Sequence, residues 1–303
     1  MELNLRSDIG QWLDKLEKID PIPTEFCPNL RTETPAKAVI FDIYGTLLIS
    51  SSGDIEEAYM SKEDMFKALE AGGFDPGKQD QNLSAYLVEH LPLTIQKHHK
   101  ELKKKGHPFP DVDIFKVWNE IIDMAVNEKM LSLIGQESLA DTIAVFEILS
   151  NKVWPMPGML EVLTDLRAKG IPLGIVSNAQ FYTPILMNYF LTGNFSTNQE
   201  IGYFDPDLTV YSFRELRAKP DVKLFEKIRI NLARKYKIQP SEAVFIGNDI
   251  LKDVYTAKKS GLQTALFSGD QRSLRIREGD PRVKGIFPDF FINDLKQVLE
   301  IVK

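Results

Sequence analysis

From residue 158 to the end of the chain, short apolar runs alternate with amphipathic stretches, and that alternation leaves few folds open. Residues 172–176, 243–246, 264–267 and 290–292 read as strands. Between them, helices are predicted over 158–169, closed by Gly170; over 179–190; over 221–237, introduced by Pro220; over 254–260, closed by Gly261; and from Asp294 onward. Strands separated by helices in this way pair in parallel and are covered on both faces. The expected class is therefore α/β, a Rossmann-like and mostly parallel sheet with helices on both faces.

One strand stands apart from this series. Ala38, Val39, Ile40 and Phe41 form an apolar run that ends at Asp42, with Gly45 three residues further on. It reads as a buried strand with a carboxylate at its C-terminal edge, the edge at which ligands sit in open α/β sheets. From 51 to 152 the texture is helical. Ser52-Gly53 opens the segment, Gly72-Gly73 and Asp75-Pro76-Gly77 break it, and apolar residues recur at helical spacing, as in Phe115, Trp118, Ile121, Ile122 and Ala125. About a hundred residues of helix thus separate the first strand from the rest of its sheet. Residues 1–36 read as an extension whose helix, marked by Ile9, Trp12, Leu13, Leu16 and Ile19, stops at Pro21 and Pro23. The expected domains are 1–36 as a helical extension, 37–50 with 153–303 as the α/β core, and 51–152 as an inserted all-helical domain.

Three further strand ends or helix starts carry polar residues that packing does not demand. Ser177-Asn178 follows the strand at 172–176 and is expected to open a helix, where a hydroxyl and free backbone N–H groups make an anion site. Lys219-Pro220-Asp221 places an ammonium before a helix, a position at which the helix dipole does not favour it. Gly247-Asn248-Asp249-Ile-Leu-Lys-Asp253 sets two carboxylates and an amide at a strand-to-helix turn. A few oxygen donors beside an anion site suit Mg²⁺ that keeps part of its water shell. The competing roles are ordinary ones: Asp42 in a turn, Ser177 as a helix cap, Lys219 as a surface lysine.

Taken in order, Asp42-Ile-Tyr-Gly-Thr46, Ser177-Asn178, Lys219-Pro220-Asp221 and the run from Gly247 to Asp253 resemble the four motifs of the haloacid dehalogenase-like (HAD) hydrolase superfamily. The resemblance covers 37–50 and roughly 155–303, and the position of 51–152 is similar to that of the family's helical cap. It implies that Asp42 is a nucleophile forming a covalent aspartyl intermediate, that Thr46, Ser177 and Asn178 hold the transferring group, and that Lys219 neutralises charge on Asp42 and substrate. It also implies Mg²⁺ bound by Asp42, the backbone carbonyl of Tyr44, and Asn248 or Asp249, with Asp253 as ligand or support.

Two departures from the commonest family pattern pull in opposite directions. Phosphatases of the family usually carry a second Asp two residues after the nucleophile, to protonate the leaving oxygen; here that position is Tyr44. A phenol with a pKa near ~10 is a poor acid at neutral pH, so weak turnover of alkyl phosphates is expected and aryl phosphates, acyl phosphates or halides are favoured. Tyr at this position is also what 2-haloacid dehalogenases of the family carry. Those enzymes need no Mg²⁺, however, and their fourth motif is shorter than 247–253. The expectation is a Mg²⁺-dependent phosphatase acting on a small phosphorylated metabolite, with a dehalogenase as the first alternative. A binding or regulatory module that keeps the fold is the second.

The remaining features exclude more than they assign. A net charge of -6 argues against general nucleic-acid binding, so an anionic small molecule is the expected partner. One cysteine, Cys27, precludes an intrachain disulfide framework, and with no signal-like or membrane-spanning stretch a cytoplasmic location is expected. His98, His99 and His107 lie in a basic helical stretch and share no helix face suited to zinc. Arg272, Arg275, Arg277, Arg282 and Lys284 occupy a loop-like segment and are expected to be solvated.

Overall fold

The computed structural model describes residues 9–31, 34–51, 61–75, 80–133 and 135–303. The sequence features expected at Ser52-Gly53 and Pro76-Gly77 lie outside the described residues. Six parallel strands form the central sheet: β1 (Ala38–Phe41), β4 (Leu173–Ser177), β5 (Thr209–Tyr211), β6 (Ala243–Gly247), β7 (Gln263–Phe267) and β8 (Phe290–Ile292), in the order β5-β4-β1-β6-β7-β8. A separate antiparallel pair, β2 (Leu48–Ser50) with β3 (Val153–Pro155), closes the base of the helical insertion. The expected α/β class holds. β1, β4 and β6 are buried along their whole length, which is why they read as continuous apolar runs rather than alternating ones.

Register then fixes where polar residues can meet. Phe41 lies level with Ile175 on one side and Ile246 on the other. The next residue of each strand path, Asp42, Val176 and Gly247, therefore reaches the carboxyl edge together, and the Asp42 N–H donates to the Ile246 carbonyl at 2.9 Å.

On the core, α6 (Met159–Ala168), α7 (Thr183–Thr192), the short α8 (Ser212–Glu215), α9 (Glu226–Asn231) and α10 (Thr256–Lys259) lie between strands, and α11 (Val298–Ile301) follows the last of them. Two expected helices differ from this. The helix foreseen over 221–237 is three pieces, a 3₁₀ turn at Val222–Phe225, α9, and a π turn at Leu232–Tyr236, because the Asp221 side chain caps a tight first turn by accepting from the Lys223 N–H. The helix foreseen from residue 179 starts only at Thr183. Ala179 and Gln180 are held instead by Ser212 and by Val112 and Ile114 of the insertion. β5 was not evident in the sequence, being three residues long.

The insertion holds α2 (Lys62–Ala71), α3 (Asp80–Lys104), α4 (Ile114–Asn127) and α5 (Leu139–Ser150), with no strand among its described residues. Ser61, Asp113 and Ser138 cap α2, α4 and α5 by accepting from backbone N–H groups in their first turns. On α4, Ile114, Val117, Trp118, Ile121, Ile122 and Ala125 are buried at i, i+3, i+4 and i+7 spacing, the face expected from the sequence. A second seam joins this layer to the core: the Ala218 N–H donates to the Phe109 carbonyl at 2.8 Å, and His107 Nδ1 lies 3.0 Å from the Leu216 carbonyl.

In the amino-terminal extension, α1 (Ile9–Leu13) is shorter than its apolar pattern and buries Ile9 and Leu13. Beyond it the chain runs along the carboxyl-edge loop after β7. The Ile22 N–H donates to Asp270, the Gln271 N–H donates to the Ile22 carbonyl, and Thr24 donates to the Ser268 carbonyl. Asn29 then bridges antiparallel to Phe291 of β8.

Candidate active site

Asp42, Lys219 and Asp253 form one buried cluster. Lys219 Nζ lies 2.9 Å from Asp42 Oδ1 and 2.6 Å from Asp253 Oδ1, and its side chain is only 1% exposed. The ammonium also stands 5.3 Å from the centre of the Phe245 ring, so its apolar side is packed against β6. The backbone is fixed as firmly, since the Lys219 N–H donates to Asn178 Oδ1 at 2.8 Å and the Lys219-Pro220 peptide is cis. Burial alone would depress the ammonium, but Asp253 and Asp42 together raise its pKa above the usual lysine value. Burial raises the Asp253 carboxyl, with Asp42 and Asp249 adding to it and Lys219 opposing. Two carboxylates against one ammonium leave this cluster with one excess negative charge.

The loop after β1 returns tightly on itself, with the Leu47 and Leu48 N–H groups both donating to the Ile43 carbonyl. Gly45 makes this possible at φ +77, and a Cβ there would stand 2.6 Å from Asn248 Nδ2. Asn248 is thereby sandwiched: its Nδ2 donates to the Ser273 carbonyl at 2.6 Å, and its Oδ1 accepts from Thr46 at 3.3 Å. Ser177 ends β4, and its Oγ is buried without a hydrogen-bond partner among the described residues. Because α7 begins four residues later than expected, Ser177 and Asn178 do not form a helix amino terminus.

Asp249 is engaged on both oxygens. Oδ1 accepts from the Leu251 and Lys252 N–H groups, capping the turn that follows, while Oδ2 accepts from Arg277 Nε at 3.0 Å and Nη2 at 2.7 Å. In this arrangement four protein N–H groups thus engage its two oxygens. Asp253 likewise accepts from Lys219 on Oδ1 and from the Asp249 N–H on Oδ2. Arg277 therefore belongs to the site and is not merely solvated, and Arg272 pairs with buried Asp270. Among the described residues no three His, Cys, Asp or Glu side chains gather as a metal cluster. The oxygens that still suit a hard cation are those of Asp42, the Tyr44 carbonyl and Asn248. One carboxylate and two neutral carbonyls fit Mg²⁺ that keeps several waters.

Above this floor lies a cavity of about 430 Å³ roofed by the insertion. Leu91, Ile95, Ile114 and Phe146 make its cap-side wall apolar, and Asp42, Lys219, Asn178 and Asn248 lie at its base. Tyr44 is half-buried here, its hydroxyl 2.9 Å from Thr183 Oγ1. Burial drives its pKa up, the Thr183 bond opposes, and the charges of Glu147 and Asp42 add to the rise. Glu147 on α5 lines the same cavity, and burial lifts its carboxyl to about 7 against a Tyr182 hydrogen bond. Glu147 and Tyr182 were not singled out from the sequence, and Arg277 was expected to be solvated. The signal for Glu147 was present, as an acid inside the apolar helix Leu-Ala-Asp-Thr-Ile-Ala-Val-Phe-Glu-Ile-Leu-Ser.

A sequence profile of the haloacid dehalogenase-like hydrolases matches residues 36–261. The glyceraldehyde 3-phosphate phosphatase of Methanothermobacter thermautotrophicus is 23% identical over 275 residues, 88% of this chain and 99% of that protein. The enzyme of the same name from Methanopyrus kandleri is 27% identical over 159 residues; the match takes in 49% of this chain and 57%, just over half, of that protein's length. Among solved structures, the 2-haloacid dehalogenase from Pseudomonas syringae pv. Tomato DC3000 superposes with a TM-score of 0.58 at 21% identity, over 88% of this chain and 97% of its own. That likeness is one of fold.

Proposed function

The chain belongs to the haloacid dehalogenase-like hydrolase family, and on that premise we propose that it is a Mg²⁺-dependent phosphatase of a small phosphorylated metabolite with Asp42 as nucleophile. The carrying observation is the buried Asp42, Lys219, Asp253 cluster at the base of a roofed cavity. In this reading Asp42 attacks phosphorus, the bond to the leaving oxygen breaks, and water then hydrolyses the aspartyl-phosphate. Lys219 stays charged, holds the Asp42 carboxylate in one rotamer and offsets part of the charge that accumulates as two anions approach. Thr46, Asn178 and the unpartnered Ser177 hydroxyl are assigned to the transferring group.

Mg²⁺, when bound, supplies the remaining positive charge that lets a carboxylate meet a phosphate. Asp42, the Tyr44 carbonyl and Asn248 are the groups assigned to hold it; Asp253 supports Lys219, and Asp249 caps the following turn. The segment 51–152 acts as the specificity cap on a core of 37–50 and 153–303, with 1–36 as an extension. Among the described residues no helix is long and apolar enough to cross a membrane; we place the enzyme in the cytoplasm.

The relatives named glyceraldehyde 3-phosphate phosphatase favour phosphorus over carbon as the centre attacked. Tyr44 keeps the dehalogenase as the second reading. The two separate in one experiment: p-nitrophenyl phosphate should be hydrolysed with Mg²⁺ and not with EDTA, while chloride release from 2-chloropropionate stays at background. Metal-independent dehalogenation without phosphate release would reverse the assignment.

A further inference from the structure

Expulsion of an alkoxide needs a proton, and the core does not supply one. The Tyr44 phenol is held by Thr183 and pushed further from neutrality by burial and two carboxylates. Asp253 is tied to Lys219, and Asp249 to Arg277. Asp111, also at the cavity wall, accepts from its neighbouring Val112 N–H and from Gln180. Glu147 is different: among the described residues it forms no ion pair, and its hydrogen bond is to the Tyr182 hydroxyl. It projects from the roof into the cavity whose floor carries Asp42, and the charges of both carboxylates act on the Tyr44 phenol. The titratable and charged side chains lining the cavity with it are Tyr44, Tyr182, Asp111 and His99 of α3, together with Asp42, Lys219, Asp249, Lys252, Asp253 and Arg275.

We infer that Glu147 is the general acid of the first step, delivered from the cap to the leaving oxygen in place of the carboxyl that position 44 lacks. As Asp42 bonds to phosphorus, the electron pair of the breaking P–O bond stays on the leaving oxygen, which takes the Glu147 proton and departs as an alcohol. The Glu147 carboxylate then accepts a proton from the water that attacks the aspartyl-phosphate, restoring both carboxyl groups to their starting states and releasing phosphate. A carboxyl lifted to about 7 by burial keeps its proton in a substantial fraction of molecules at neutral pH, where an ordinary carboxyl has lost it. The apolar wall beside it shelters that proton from bulk water.

This rests on the phosphatase reading, and one comparison tests the two separately. The full-length wild type, Glu147→Gln and Glu147→Asp are assayed with Mg²⁺ on glycerol 3-phosphate and on p-nitrophenyl phosphate, whose leaving group departs without a proton. Glu147→Gln should lower kcat/KM, which reports only the steps up to departure of the leaving group, by ~10²-fold or more on the alkyl ester and abolish its alkaline limb, with a change in kcat/KM below ~3-fold on the aryl ester. Across aryl phosphates of rising leaving-group pKa its rates should fall more steeply than wild type. Glu147→Asp, which keeps the acid, should retain part of the alkyl activity and the limb. Equal losses on both esters would make Glu147 a structural residue and overturn the inference. Wild-type hydrolysis of the aryl ester alone would overturn it while leaving the phosphatase reading standing. If neither ester is cleaved, both fall.

Discussion

Replacing Lys219 by Met removes the cation that bridges two carboxylates with little water around them. Asp253 is 1% exposed and Asp42 12% in their side chains, and the ammonium sits 2.6 and 2.9 Å from them. At an effective dielectric of about 20, each contact is worth ~6 kcal/mol of gross Coulomb attraction, most of it offset by desolvating the charges. Removing one partner of a buried pair leaves a net loss of ~3–5 kcal/mol. For a chain of this size that lowers Tm by roughly 6–15 °C. The loss carries a pH signature. Asp253 already sits above the ordinary carboxyl pKa with Lys219 in place, and without it rises further. A carboxyl with a raised folded pKa favours the folded chain while protonated, so the deficit is small near pH 4–5 and grows as pH rises through neutrality. The assay is the Tm difference between Lys219→Met and wild type, by circular dichroism at pH 5 and pH 8. A deficit equal at both pH values, or below about 1 kcal/mol at pH 8, would refute the claim that Lys219 holds an ionised Asp253.

Other substitutions probe the parts separately. Asp42→Asn should fold normally, because Lys219 keeps Asp253, yet lose hydrolysis by ~10³-fold or more while still binding substrate by calorimetry; unchanged turnover would refute Asp42 as the nucleophile, and a wild type that binds substrate without hydrolysing it would move the protein into the class of binding modules. Gly45→Ala should lower stability by ~1–3 kcal/mol in urea titration and abolish activity, since the left-handed backbone and a methyl 2.6 Å from Asn248 Nδ2 disturb both loops at once. Asn248→Asp should tighten Mg²⁺ about tenfold by titration calorimetry, whereas Asp249→Asn should change it less than threefold; the reverse order would return the ligand role to Asp249. Glu147→Gln should gain nothing at pH 4 and about 1–2 kcal/mol at pH 8 in chemical denaturation, the ionisation penalty being reduced by the partial exposure of that side chain.

What the sequence made legible follows from locality. β1, β4, β6, β7 and β8 are apolar runs because both faces of their sheet are covered, and the polar residues at their ends stand out against that background. What it hid is set by contacts between distant positions. Leu48–Ser50 pairs with Val153–Pro155 about a hundred residues later, and neither segment has a strand pattern of its own. Arg277 looked solvated because its carboxylate partner, Asp249, is reached only when the loop folds back beside Asn248. Ser177-Asn178 appeared to open a helix; Ser212 instead holds Ala179, and the Gln180 side chain bonds Val112 and Ile114, a tertiary effect that no local pattern carries.

The strand pair at the base of the helical layer is covalent with the core and permanent, but the contact of 107–109 with 216–218 is a matter of very few hydrogen bonds. That contact ends one peptide short of the ammonium at position 219, whose own N–H is tied to Asn178. The segment 216–219 thus faces the helical layer on one side and the buried carboxylates on the other, so a residue inserted there would shift both at once.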